Sequence, residues 1–497
     1  MIIAVDIGTT NMKAACVDEA GTMGPLAVRF NATARDGEGC VCYDPELLWS
    51  RTAELIAEAA AAAGNPLIEA VSLTSMAESG LLVNRATGAP LSSVIPWFER
   101  SSMPQAERVE REIDACERFA HTGIRPSFKT GLAKLLRLRD SRGGLPAGGV
   151  WLSVSAYIAF RLTGRFAEDY TLAARTYAFR IDSRTWDAPL IRHFGLEPDL
   201  FPDIVDPGDP IGTVDAGLAD RLGLQPGTAV CLAGHDHVCA SVAVGAVRPG
   251  EVYNSIGTAE TMVGTFEART LGRDDFSSGL GYGLHAVPGQ MFWMGGHSTS
   301  GGSVEWMREL LGGGKLSYRE VLAYLQEAGS APTGILFFPY LAGSGAPDPN
   351  PKAEAAFIGL TSAHGKAAML KAVLEGNAFQ MEAIRRRAET AAGIPIRRMR
   401  AVGGGVNNPV WMQIKADVSG AAFTVPAIPE ATLLGAALCA GIGTGRYASF
   451  AEAAAAGTSR EPAARFEPDA ERHNAYREIY ETGFSRLRSL LFGTGIG

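Results

Sequence analysis

The sequence predicts an α/β protein of two large, similarly built domains, and three observations predict it. The chain has 497 residues, whereas a single hydrophobic core stops growing at roughly 250–300 residues. Near the N-terminus an apolar run, Ile2 to Val5, meets Asp6, turns at Gly8-Thr9-Thr10 and resumes as Met12 to Val17. The same pattern returns in the second half, where Val252 to Ile256 and Met262 to Phe266 flank Gly257-Thr258. A boundary near residue 245 gives domains 1–245 and 246–497.

Taken in order, the first apolar pair reads as a β-hairpin, extended into a meander by a turn at Glu19-Ala20-Gly21. A helix is expected from 45 to 63, with Asp44 as N-cap, Pro45 at the first position and Gly64 as the stop. Strands are expected over 68–74 and 80–83. The dense charges Glu107, Arg108, Glu110, Arg111 and Glu112 predict one solvated amphipathic helix over 104–119. Apolar residues at helical spacing predict further helices over 132–138 and 154–162. A strand over 229–232 then leads through Gly234-His235-Asp236-His237 into an Ala-rich helix ending at Val244. Beyond the second hairpin, helices are expected over 303–311, 366–391, 409–419 and 433–441. Between them Met399 to Val402 forms a strand that runs into Gly403-Gly404-Gly405. A hairpin with a phosphate-sized glycine turn, once in each half, marks the actin-like (ribonuclease H-like) fold, with a nucleotide cleft between its domains.

Composition narrows the function. A formal charge of −8 and the absence of any basic run exclude a nucleic-acid partner. No stretch of about 18 uncharged apolar residues is present, which excludes a membrane-spanning helix. The opening Met-Ile-Ile-Ala-Val-Asp reads as a strand rather than a secretion signal, so a cytoplasmic protein is expected. The seven cysteines are odd in number and scattered, as free thiols in a reducing compartment would be.

Four constellations carry chemistry. In Asp6-Ile7-Gly8-Thr9-Thr10-Asn11 a strand-end carboxylate can hold Mg²⁺ through water, while turn amides and hydroxyls face the β- and γ-phosphates. Ser255-Ile256-Gly257-Thr258-Ala259 is its counterpart in the other half. Gly403, Gly404 and Gly405, followed by Asn407 and Asn408 at a helix start, leave room for adenine or ribose against bare backbone. Asp236, at a strand-to-helix turn, suits the base that accepts a hydroxyl proton during phosphoryl transfer, and it too lies where Mg²⁺ could be reached through water. The flanking His235 and His237 also permit a metal pair, but no third ligand has the spacing. A Walker A loop is excluded because Ala367 stands where Ser or Thr is needed.

Together these residues resemble the FGGY carbohydrate kinases, which include xylulokinases, gluconokinases, ribulokinases and glycerol kinases. The likeness runs in order along nearly the whole chain. Asp6 to Thr10 resembles the first phosphate motif, and Trp97-Phe98-Glu99-Arg100 the Trp-containing sugar motif. Lys134 resembles the family's interior lysine, Gly234 to Val244 the catalytic Asp motif, and Ser255 to Thr258 the second phosphate motif. Gly296 to Trp306 and Phe338 to Leu360 resemble the segments that follow, Gly403 to Asn408 the adenosine motif, and Glu430 to Ala440 the closing Ala-rich helix. The resemblance implies a sugar in the cleft, Mg-ATP across the seam, Asp236 as base, and Glu78 and Trp97 in the sugar pocket. Glu99, Arg100 and His237 join them as candidate substrate contacts.

Departures from the family leave the substrate open. Ala77-Glu78 matches neither the Arg-Glu of glycerol kinases nor the Met-His of xylulokinases. Glu99 replaces an Asp, and Gly343 to Pro347 lacks the usual Glu-Arg pair. A pentulose, tetrulose or related polyol is the first expectation. The alternatives are a sugar acid such as gluconate, for which Arg100 is the candidate cation, and a non-catalytic nucleotide-gated sugar sensor. The expected partners are ATP and a small sugar or polyol, with a homodimer among the assemblies open to the chain.

Overall fold

Two mixed sheets, one from each half of the chain, organise the computed structural model, which describes residues 1–313 and 316–492. The first contains β1 (Ile2–Ile7), β2 (Asn11–Val17), β3 (Ala27–Phe30), β4 (Ala70–Ser75), β5 (Pro210–Thr213) and β6 (Ala229–His235), in the order β5-β6-β4-β1-β2-β3. The second contains β7 (Val252–Ile256), β8 (Glu260–Glu267), β9 (Gly281–Leu284), β10 (Gln290–His297), β11 (Arg398–Val402), β12 (Ala422–Val425) and β13 (Ala464–Phe466), in the order β9-β10-β8-β7-β11-β12-β13. Each sheet is built around an antiparallel hairpin, β1-β2 or β7-β8, with two parallel strands added on the side of its first strand. The two expected hairpins are therefore equivalent centres of equivalent sheets.

Local chemistry sets the helix starts. In α1 (Pro45–Ala62) the Asp44 carboxylate accepts from the Leu47 amide at 2.9 Å, as an N-cap should. The single helix expected over 104–119 is two: α2 (Met103–Glu112) and α3 (Ala115–Thr122). Ile113 between them is extended, and Asp114 caps α3 by accepting from the Cys116 and Glu117 amides at 2.8 and 3.0 Å. An aspartate that satisfies two free amides competes with helix continuation, and charge pattern alone does not register this.

Alternation along β1 assigns its two faces. Ile3, Val5 and Ile7 join Val71, Leu73, Val230 and Leu232 in a core that α1 covers. Ile2 and Ala4 join Ala15, Ala70, Cys231 and Ala233 on the opposite face. The small side chains there let helices approach closely. Against this face lie α4 (Asp236–Ala243) and α7 (Ala431–Gly443), whereas α5 (Ser300–Gly312) and α6 (Pro409–Ser419) pack in the core of the second half. The Ser72 hydroxyl donates to the Ala436 carbonyl at 2.6 Å. A Cβ on Gly435 would lie 1.8 Å from the Cys239 carbonyl oxygen, so only glycine allows this crossing of α4 and α7. A helix from the second half thus packs on the first sheet and on the helix that begins with Asp236. Among the described residues, no helix is long and apolar enough to cross a membrane.

Candidate active site

Strand register gathers the acidic residues. β1, β4 and β6 are adjacent and parallel, and Asp6, Thr74 and Gly234 stand side by side. Asp6 near the end of β1, Glu78 just beyond β4, and Asp236 immediately after β6 therefore emerge at one edge, the usual ligand side of parallel strands. A bulge between Leu232 and Gly234 bends β6 just before Asp236. The bend is tied down from behind. The His235 amide donates to the Thr171 hydroxyl at 2.9 Å, and that hydroxyl donates to Asp169 at 2.5 Å.

Asp6 and Asp236 differ in state. Burial, reinforced by Asp236, pushes Asp6 up to about 8 despite Lys13 opposite it on β2. Its Oδ1 is buried without a hydrogen-bond partner. Lys13 is engaged elsewhere, 2.8 Å from each oxygen of Glu430 at the start of α7. For Asp236, burial acts upward but is outweighed by His237 and His235, which bring it down to about 2. The His235 Nδ1 lies 2.8 Å from Asp236 Oδ1, which also accepts the His237 amide at 2.7 Å. Asp236 is thus ionised at neutral pH, with a quarter of its side chain exposed.

Around these carboxylates the glycine turns are held by protein contacts at their backs. The Gly8 amide donates to the Asn11 carbonyl at 3.1 Å, and Asn31 binds the Gly8 and Thr10 carbonyls at 2.8 Å each. Thr10 and Asn11 remain exposed. In the second loop Gly301 and Gly302, in the first turn of α5, donate their amides to the Gly257 and Thr258 carbonyls at 3.0 Å, and Thr258 is exposed. β7 and β11 are parallel neighbours, so Gly257 and Gly403 share an edge. Gly403 has φ +95°, and a Cβ there would lie 2.6 Å from the Ile256 carbonyl. Gly404 and Asn407 are exposed and Gly405 half-buried, while Asn408 caps α6 by accepting from the Trp411 amide at 3.1 Å.

The candidate acceptor pocket adjoins the first loop. The Trp97 indole N–H donates to the Thr9 hydroxyl at 2.9 Å, joining Trp97 to the first glycine turn. Glu78 is paired with Arg175, whose Nε and Nη2 lie 3.1 and 2.5 Å from Glu78 Oε1. Burial opposes ionisation of Glu78, but Arg175 and then Lys129 outweigh it and hold the carboxyl at about 2. Beneath it, Lys134 donates to the Glu78 and Ile95 carbonyls, and burial brings its ammonium down to about 7. His237 is held below the usual imidazole range by burial, and its ring faces Tyr253 of the second half at 5.9 Å.

Two candidates stand differently from the rest. Glu99 accepts the Val41 amide at 2.7 Å and the Ser101 amide at 2.9 Å, one with each oxygen. Arg100 is exposed, with its guanidinium 5.4 Å above the Phe128 ring. Sequence reasoning missed Arg175, Lys129 and Lys13. The one available signal was Arg175 itself, a lone cation in the otherwise uncharged stretch Tyr170 to Phe179.

Replacing Glu78 by Gln is expected to weaken acceptor binding by about 1–3 kcal/mol, because the buried Arg175 guanidinium loses its charged acceptor. The ATP KM should change little. Steady-state kinetics with each substrate varied in turn checks this, and an unchanged acceptor KM would move the pocket elsewhere.

Known proteins resemble this chain along most of its length. Residues 1–243 match the N-terminal domain of the FGGY family of carbohydrate kinases, and residues 252–444 match its C-terminal domain. A glycerol kinase from Gloeobacter violaceus is 31% identical over 477 residues, covering 92% of this chain and 90% of that protein. A xylulose kinase from Bacillus subtilis is 25% identical over 97% of this chain and 95% of its own length. The solved structure of a ligand-bound xylulose kinase from Lactobacillus acidophilus superposes with a TM-score of 0.91 at 21% identity, covering 99% of this chain and 98% of that one. With the two-domain actin-like fold, a phosphotransferase using an alcohol acceptor follows, and the chain belongs to the FGGY family of carbohydrate kinases.

Proposed function

We propose that this chain transfers the γ-phosphoryl group of ATP to a hydroxyl of a small sugar or polyol, with Mg²⁺ as the cation and Asp236 as the base. The observation that carries the reading is the pair of unlike carboxylates at the strand edge: an ionised Asp236 beside an Asp6 whose buried Oδ1 lacks a partner. A cation fits that orphaned oxygen, since it would both satisfy Asp6 and favour its ionised form. Asp6 would hold the metal through water, together with phosphate oxygens. When bound, Mg²⁺ would neutralise charge on the phosphates.

The chain's own groups divide the remaining work. Gly8, Thr9, Thr10 and Asn11 on one side, and Gly257 and Thr258 on the other, offer amides and hydroxyls to the phosphates. Gly403 to Asn407 offer bare backbone to the adenosine. In this reading residues 1–245 supply the acceptor pocket and first loop, and residues 246–497 supply the second loop and the adenosine site. Asp236 takes the proton of the attacking hydroxyl while His235 and the His237 amide hold its carboxylate in place. Both carboxylates are retained, which favours catalysis over a nucleotide-gated sensor.

The test is ADP release measured across pentuloses, tetritols, glycerol and aldonic acids. Release that depends on both acceptor and Mg²⁺ is expected. ATP hydrolysis unaffected by every acceptor would contradict the reading.

A further inference from the structure

The acceptor pocket holds a cation that the reading above leaves unused. Lys129 is half-buried, and its ammonium lies 5.1 Å from the centroid of the Trp97 ring. Among the described residues no carboxylate or carbonyl pairs with its ammonium, which is left to the Trp97 ring and to whatever enters the pocket. The carboxylate it acts on, Glu78, is already matched by Arg175, so Lys129 is a cation without a carboxylate of its own. A second donor is also idle: Arg175 Nη1 is buried without a hydrogen-bond partner. Arg100, the cation the sequence offers for this role, is exposed over Phe128 instead.

Lys129 acts on other groups than those that set the two strand-edge aspartates. It acts electrostatically on Glu78 and Lys134, at the acceptor end. The charges acting on Asp6 come from Asp236, Lys13 and Glu430, and those acting on Asp236 from His237 and His235. This cation therefore lies where the non-reacting end of an acceptor would rest, on the Trp97 face. A neutral polyol would leave it unanswered, whereas a carboxylate would complete it with a charge-assisted hydrogen bond.

We infer that Lys129 is a specificity residue that binds a carboxylate on the acceptor, so that the preferred substrate is a sugar acid rather than the corresponding neutral polyol. The inference rests on the kinase reading and names the substrate class of the same pocket. It is tested with matched pairs, a tetronate against its tetritol and a pentonate against its pentitol, on the full chain. The wild type is expected to favour the acid. Lys129→Met should lower the ratio of acid to polyol kcat/KM about ten- to hundredfold, chiefly through the acceptor KM, and Lys129→Arg should restore most of it. A wild-type preference for polyols, a ratio unchanged in Lys129→Met, or a loss that falls on the ATP KM would each overturn the inference. A preference for phosphorylated polyols over the acids would overturn the carboxylate assignment as well. If no acceptor releases ADP, the kinase reading falls separately. Calorimetry then decides: acid binding weakened selectively in Lys129→Met upholds the role of Lys129, and equal binding in both proteins removes it.

Discussion

Asp236→Asn is expected to reduce turnover by about 10²–10⁴ while leaving the fold and the KM for ATP close to wild type. The amide keeps an oxygen for the His237 N–H, which now lies 2.7 Å from Asp236 Oδ1, so the start of α4 should stay in place. What it loses is the ability to take a proton. Proton acceptance matters most when the attacking oxygen has nowhere else to send its hydrogen. The two other acids at this edge are poorly suited: Asp6 is pushed up to about 8 and associated with the metal in this reading, and Glu78 is bound by Arg175. Steady-state turnover with saturating ATP and acceptor checks the expectation. A variant that keeps near-normal turnover would transfer the role of base to another group.

The second large effect concerns the loop proposed as the second phosphate site. Glu260 is the first residue of β8, directly after the loop residues Gly257 to Ala259, and it is fully buried. Lys415 of α6 lies 2.7 and 2.8 Å from its two oxygens, Ser300 of α5 donates at 2.7 Å and Asn254 of β7 at 3.0 Å. The loop is therefore bolted to three separate elements through one carboxylate. Burial acts against ionisation of Glu260, yet Lys415 and His297 hold it well below the usual carboxylate range. Lys415→Met would leave a buried, uncompensated charge at about 3–5 kcal/mol, whereas the double replacement Glu260→Gln/Lys415→Met should cost much less. Urea denaturation of the two variants checks this. A loss below about 1 kcal/mol in the single variant would mean that the pair does not hold the loop. A raised KM for ATP should accompany the loss of stability, because Gly257 and Thr258 would no longer be fixed.

Much of this architecture was legible in the sequence where its causes are local. The first hairpin was readable because the apolar runs and the Gly8-Thr9-Thr10 turn lie next to one another. The bounds of α6 were readable because Asn408-Pro409 starts a helix and Gly420 ends it. The break between α2 and α3 was not, because the charge pattern runs on through Asp114 and only its capping bonds interrupt the helix. The site divides in the same way. Asp6, Asp236 and the glycine turns stand out as candidates by spacing and turn chemistry. Glu78 and Arg175 are 97 positions apart, and Glu260 and Lys415 are 155 apart. Nothing in their local surroundings shows that the members of either pair meet. Glu99 shows the converse. Beside Trp97 it reads as a pocket residue, yet its oxygens serve the backbone of Val41 and Ser101.

The measurement closest to the central claim follows the phosphorus itself. Purified protein is incubated with Mg-ATP and an accepted sugar, polyol or sugar acid, and the products are followed by phosphorus NMR. Transfer to a carbon-borne hydroxyl predicts a new phosphate monoester that grows in step with ADP and is nearly absent with Asp236→Asn. Inorganic phosphate accumulating instead, at a rate indifferent to the acceptor, would contradict the account.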